Sequence, residues 1–137
     1  MDQAGPLPRA SELGPEMDQL THSVIAAAIE VHRQLGPGLD ESLYEAAMVI
    51  EFRLRNIEFA RQVIVNVDYK GESIGERRLD FVIEKKLLVE LKAVEQLAPV
   101  HKAQVLTYLK ITGLTLGLLI NFNVEVLRDG VKRVIAS

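Results

Sequence analysis

From about Asp18 to Leu35, the residues Val24, Ile25, Ala28, Ile29, His32 and Leu35 follow a helical spacing, with Asp18 or Thr21 placed to cap the start. Gly36-Pro37-Gly38 stops that helix, because glycine just past a last turn followed by proline cannot continue one. A second helix is predicted from about Leu39 to Arg55. One face carries Leu39, Leu43, Ala46, Ala47, Ile50 and Leu54, and the opposite side holds Met48 and Phe52 close to Glu41 and Glu45. Apolar residues on two sides predict packing on two sides. The period then changes to two. Gln62 to Tyr69 alternates as a strand, Lys70-Gly71-Glu72 turns, Glu76 to Ile83 forms a second strand, and Leu87 to Ala93 a third after Lys85-Lys86. Pro99 suits the first turn of a helix that runs to Thr112 and closes at Gly113. Thr115 to Phe122 reads as a buried strand and Val131 to Ile135 as a short edge strand. The order ααβββαβ(β) predicts an α/β fold with a small mixed sheet.

Residues 1–17 contain Pro6, Pro8 and Pro15 with Gly5 and Gly14 and show no apolar period, so they are expected to be a flexible tail ahead of one domain over 18–137. The 137-residue chain is 48% hydrophobic and 26% charged, the balance of a globular domain able to bury one core. It has no cysteine, which excludes thiolate zinc sites, iron–sulfur clusters and thiol nucleophiles and suits a reducing cytoplasm. No apolar run reaches the roughly 18 residues of a membrane helix, and nothing at the N-terminus resembles a secretory signal. The chain carries −3 in total. Asp2, Glu12, Glu16 and Asp18 against Arg9 account for that excess, and the remainder is formally neutral. A neutral domain lacks the global basic surface that drives non-specific nucleic-acid binding, which leaves only a local patch for such a partner.

The chemistry concentrates on the second and third strands. Leu79, Phe81 and Ile83, with Leu87, Val89 and Leu91, alternate onto one apolar face; Asp80, Glu90 and Lys92 fall on the other. Directly opposed, Asp80 and Glu90 would sit about 5 Å apart. That register requires an odd-numbered loop or a bulge at Glu84 to Lys86, since a two-residue turn would send them to opposite faces. Two carboxylates so close ionise together only with a cation between them, and oxygen ligands suit Mg²⁺ or Mn²⁺. Lys92, two residues beyond Glu90, would neutralise developing charge or help deprotonate an attacking water. The same three residues also fit an ordinary solvent-facing strand with a cross-strand Asp–Lys pair.

The run Gly38-Leu39-Asp40-Glu41-Ser42-Leu43-Tyr44 resembles the signature of the GxxExxY protein family. Similar to that family as well are Ala28-Ile29-Glu30-Val31-His32, Leu35-Gly36-Pro37-Gly38, Leu79-Asp80, Val89-Glu90-Leu91-Lys92-Ala93-Val94, Gln104 with Tyr108-Leu109-Lys110, and Gly117 to Phe122. The resemblance covers roughly Leu20 to Ile135. It implies the PD-(D/E)XK nuclease superfamily and its αβββαβ core, here with an extra N-terminal helix. It implies further that Asp80, Glu90 and Lys92 form the active-site set, that Glu41 joins Asp80 and Glu90 as a metal ligand, and that Gln104 and Tyr108 contact substrate.

Each candidate also has an ordinary explanation. Glu41 suits a helix start electrostatically, Tyr44 suits packing with its hydroxyl bonded as well as substrate contact, and Gln104 with Tyr108 suits an i, i+4 pair. His32 and His101 read as structural, and Arg77-Arg78 and Lys85-Lys86 as solvated charge. Three functions fit: a Mg²⁺-dependent nuclease, acting on DNA rather than RNA; a catalytically silent binding or self-assembling scaffold, for which the second helix offers a homo-oligomer interface; and a hydrolase of a small phosphorylated molecule.

Overall fold

The structure, a computed structural model, describes residues 13–136. The tail expected over 1–17 lies largely outside that range, but its last residues do not behave as a tail. Helix α1 spans Pro15–Leu35, three residues longer at its start than the spacing predicts, with Pro15 in the first turn after Gly14 and no side-chain cap from Asp18 or Thr21. Thr21 is buried and its hydroxyl donates back to Met17 O at 2.8 Å. Leu13 and Met17 pack against the core, which is what lengthens the helix. It ends where the glycine requires, with the Gly36 N–H bonded to His32 O at 2.7 Å.

Helix α2 (Glu41–Leu54) follows, then β1 (Phe59–Tyr69), β2 (Glu72–Ile83), β3 (Leu87–Lys92), α3 (Pro99–Thr112), β4 (Leu116–Asn121), a 3₁₀ turn at Leu127–Gly130 and β5 (Val131–Ile135). The five strands form one sheet in the order β1-β2-β3-β4-β5, parallel only between β3 and β4 and antiparallel elsewhere. The α3 crossover is what a parallel neighbour demands. One core lies between the sheet and α1 with α2, and a second lies under α3. Along β4, Leu116, Leu118 and Ile120 serve the first and Leu119 the second, so both faces of the sheet are covered. Gly117 lets α3 approach: a Cβ there would stand 2.8 Å from Val105 Cγ1.

Two sequence expectations are corrected. The face of α2 turned to the core is Tyr44, Glu45, Met48, Val49 and Phe52, whereas Leu43, Ile50 and Leu54 of the face expected inside are solvent-exposed, Leu54 by 72%. A helix apolar all round does not reveal which side meets the sheet, and the aromatic side won: Phe52 packs edge-on to Phe81, and Tyr44 stacks on Phe122. The second correction concerns the supposedly uniform face of β2, since Leu79 packs under α3 while Phe81 packs under α1 and α2.

Candidate active site

The β2–β3 loop consists of Glu84, Lys85 and Lys86, with Glu84 and Lys85 in the left-handed region at φ 48° and 61°. Three residues meet the odd-number condition. Pairing runs Ile83↔Leu87, Val82↔Leu88 and Phe81↔Val89, so Asp80 and Glu90 stand at the next opposed position. There the backbone ladder gives way to side chains. The Asp80 N–H donates to Glu90 Oε2 at 2.7 Å, and the Leu91 N–H donates to Asp80 Oδ2 at 2.8 Å. The carboxylates thus substitute for the missing rung and lock onto each other's strands.

Both groups are buried, Asp80 at 9% and Glu90 at 5% exposure. That excludes solvent-side decoration for this pair. Burial, followed by repulsion from Glu41 and Glu45, pushes the Asp80 carboxyl up to about 6 against the pull of the Leu91 N–H and Lys92. Burial, then the adjacent Asp80, pushes Glu90 up to about 8. Near neutrality the pair therefore keeps a proton. Among the described residues no protein hydrogen bond reaches Asp80 Oδ1 or Glu90 Oε1. Two oxygens of buried carboxyls without a protein partner, on groups that repel each other once both are ionised, fit a hard divalent cation.

Glu41 opens α2, half-buried. Burial raises its carboxyl above the ordinary value, Lys92 works against that shift and Glu45 adds to it. Its charge is felt at Asp80 and Glu90, yet among the described residues no three His, Cys, Asp or Glu side chains stand close enough to hold one metal ion. The structure brings Asp80 and Glu90 together. Lys92, at the end of β3, is half-buried and makes no ion pair among the described residues.

On α3, Tyr108 is buried and Gln104 half-buried one turn earlier. Burial and the negative charge of Glu90 and Asp80 raise the Tyr108 phenol, and Arg77 opposes them. Tyr44 is fully buried, donating its hydroxyl proton to Gly36 O at 2.6 Å and accepting from the Leu39 N–H at 3.1 Å. Both hydroxyl roles are spent on the turn that launches α2, so Tyr44 fixes where Glu41 begins. His32 and His101 both bond to backbone: His32 Nε2 meets Val124 O at 2.7 Å, and His101 Nδ1 accepts the Ala98 N–H at 2.9 Å. Lys86 pairs with Glu16 of α1.

Sequence reasoning missed Asn121 and Glu45. Asn121 is buried; its Oδ1 accepts from Val94 N at 3.0 Å and Asn123 N at 3.2 Å, and its Nδ2 donates to Val94 O at 2.9 Å, which fastens the chain just beyond Lys92. Glu45 is buried one turn after Glu41 and is held by Arg61 and Gln62. Its signal was available, because an acid flanked at helical spacing by Glu41, Met48 and Phe52 lies on the packed side.

The sequence model of the PD-(D/E)XK nuclease superfamily matches residues 18–134. That match stops short of the GxxExxY family. No curated protein and no solved structure matches the chain.

Proposed function

This chain belongs to the PD-(D/E)XK nuclease superfamily, and we propose that it is a divalent-metal-dependent nuclease acting on phosphodiester bonds, with DNA preferred to RNA. The observation that carries this reading is the buried Asp80–Glu90 pair, with an oxygen of each left unbonded beside Lys92. Asp80 Oδ1 and Glu90 Oε1 would hold Mg²⁺ or Mn²⁺, and Glu41 adds negative charge at the rim. The ion, when bound, supplies Lewis-acid stabilisation of the phosphoryl oxygens.

The chain's own residues do the rest. Lys92 orients the attacking water and offsets charge that develops on the phosphorane oxygens. Tyr108 and Gln104 on α3 line the approach and position the strand, and Tyr44 acts at a distance by fixing the start of α2. Cleavage of labelled single- and double-stranded DNA and RNA tests this directly. Activity with Mn²⁺ is expected to vanish on chelation and in Asp80→Asn; metal-independent or absent cleavage would defeat the reading.

A second reading rests on a separate observation, the outward row Leu39, Leu43, Ile50 and Leu54 on and just before α2. Such a face favours a self-associating nuclease-fold scaffold. Sedimentation at micromolar concentration separates the two, since a scaffold assembles whether or not Asp80 and Glu90 are intact.

A further inference from the structure

Residues two apart on a regular strand share a face. On β2, Leu79 packs under α3 and Phe81 under α1 and α2; on β1, Phe59 lies with the α1–α2 core and Val63 under α3. Both strands therefore exchange faces at one position. The β1–β2 pairing runs Arg61↔Phe81 and then Val63↔Leu79, and the Gln62–Asp80 rung between them is missing although the register is unbroken. Gln62 sits at φ 53°, in the left-handed region that non-glycine residues seldom occupy. Asp80 stands at the crossover, where its N–H and carboxylate both turn toward β3 and are taken up by Glu90 and Leu91.

A backbone conformation of this kind persists only when its surroundings impose it. Glu45 does so. Gln62 Nε2 donates to Glu45 Oε1 at 3.0 Å and Oε2 at 2.9 Å, and Arg61 Nε donates to Glu45 Oε2 at 2.7 Å. With Glu45 only 7% exposed, these are charge-assisted bonds that a buried carboxylate accepts from two consecutive residues of β1. The clamp joins α2 to the strand opposite Asp80.

We propose that Glu45 is a positioning residue of the active site: through Arg61 and Gln62 it holds the crossover that turns Asp80 toward Glu90. It touches neither cation nor substrate. The proposal rests on the reading of Asp80 and Glu90 as cation ligands only for one of its two readouts.

Those readouts are the amide proton shifts of Asp80 and Leu91, whose N–H groups donate to the two carboxylates, and the Mn²⁺ affinity of the folded protein by calorimetry. In Glu45→Ala both amides are expected to lose their downfield shifts, with Mn²⁺ affinity falling about 10- to 100-fold, the usual size of an outer-shell effect. Gln62→Ala, which removes the amide donor and leaves a residue that resists the left-handed backbone, should move both readouts the same way. Glu45→Gln, which preserves shape and one acceptor, should restore much of both. Val24→Ala, a cavity in the α1 core, should lower the melting temperature and leave both readouts at native values. Should Glu45→Ala fail to fold, Gln62→Ala decides on the same signals. Native amide shifts in folded Glu45→Ala or Gln62→Ala would overturn the proposal. Absence of Mn²⁺ binding by the native protein would defeat the cation reading, while the amide shifts would still decide the role of Glu45.

Discussion

Burying the Glu90 carboxyl has a cost, and that cost has a sign. Its carboxyl rises from an ordinary 4.5 to about 8 on folding, through burial and the adjacent Asp80. A group whose folded value lies above its unfolded one stabilises the fold fully below the unfolded value and loses that contribution as pH rises through the folded one. The metal-free protein is therefore expected to lose thermal stability between about pH 4.5 and pH 8, and Glu90→Gln should flatten the decline. A melting series over that range, native against variant, checks it; parallel curves would contradict it. Lys92→Met should lower the cleavage rate about 100-fold or more, in the range of a lost proton-transfer or charge-stabilising group, without weakening Mn²⁺ binding. Tyr44→Phe should cost about 1–3 kcal/mol through the unbonded Gly36 carbonyl and Leu39 N–H, with the activity of the folded fraction retained. A large activity loss at unchanged stability would return Tyr44 to the substrate.

At the scale of elements, local rules carried far. Pro99 and Gly113 bracket α3 as their chemistry dictates, and β5 runs Val131–Ile135 as its pattern implies. The loop-parity condition on Glu84 to Lys86 also holds. Where legibility stopped, a long-range partner decides. The outward face of α2 was unreadable because both of its sides are apolar, and only the placement of Phe81 and Phe122 selects one. The face exchange at Gln62 and Asp80 was unreadable because its cause is Glu45, on another element. Close packing of α3 on β4 yields a further expectation. Gly117→Ala would thrust a methyl group against Val105, an overpacking cost of about 1–3 kcal/mol. Adding Val105→Ala should recover part of it, giving a favourable coupling in a double-mutant cycle by denaturant unfolding; strict additivity would place the strain elsewhere.

On the scale of the whole molecule, two cores share one sheet, and the candidate site lies where β2 and β3 stop pairing through their backbones. Among the described residues no helix is long and apolar enough to cross a membrane. Because burial raises both carboxyls, Asp80 to about 6 and Glu90 to about 8, binding of the proposed cation is expected to release a proton. The most direct measurement is calorimetry of Mg²⁺ and Mn²⁺ binding near pH 7 in buffers of different ionisation enthalpy, on the native protein, Asp80→Ala and Glu90→Ala. The expected result is binding by the native protein with a buffer-dependent heat from proton release, abolished by either substitution. No binding at millimolar ion, or binding that survives both substitutions, would contradict a metal site at this pair.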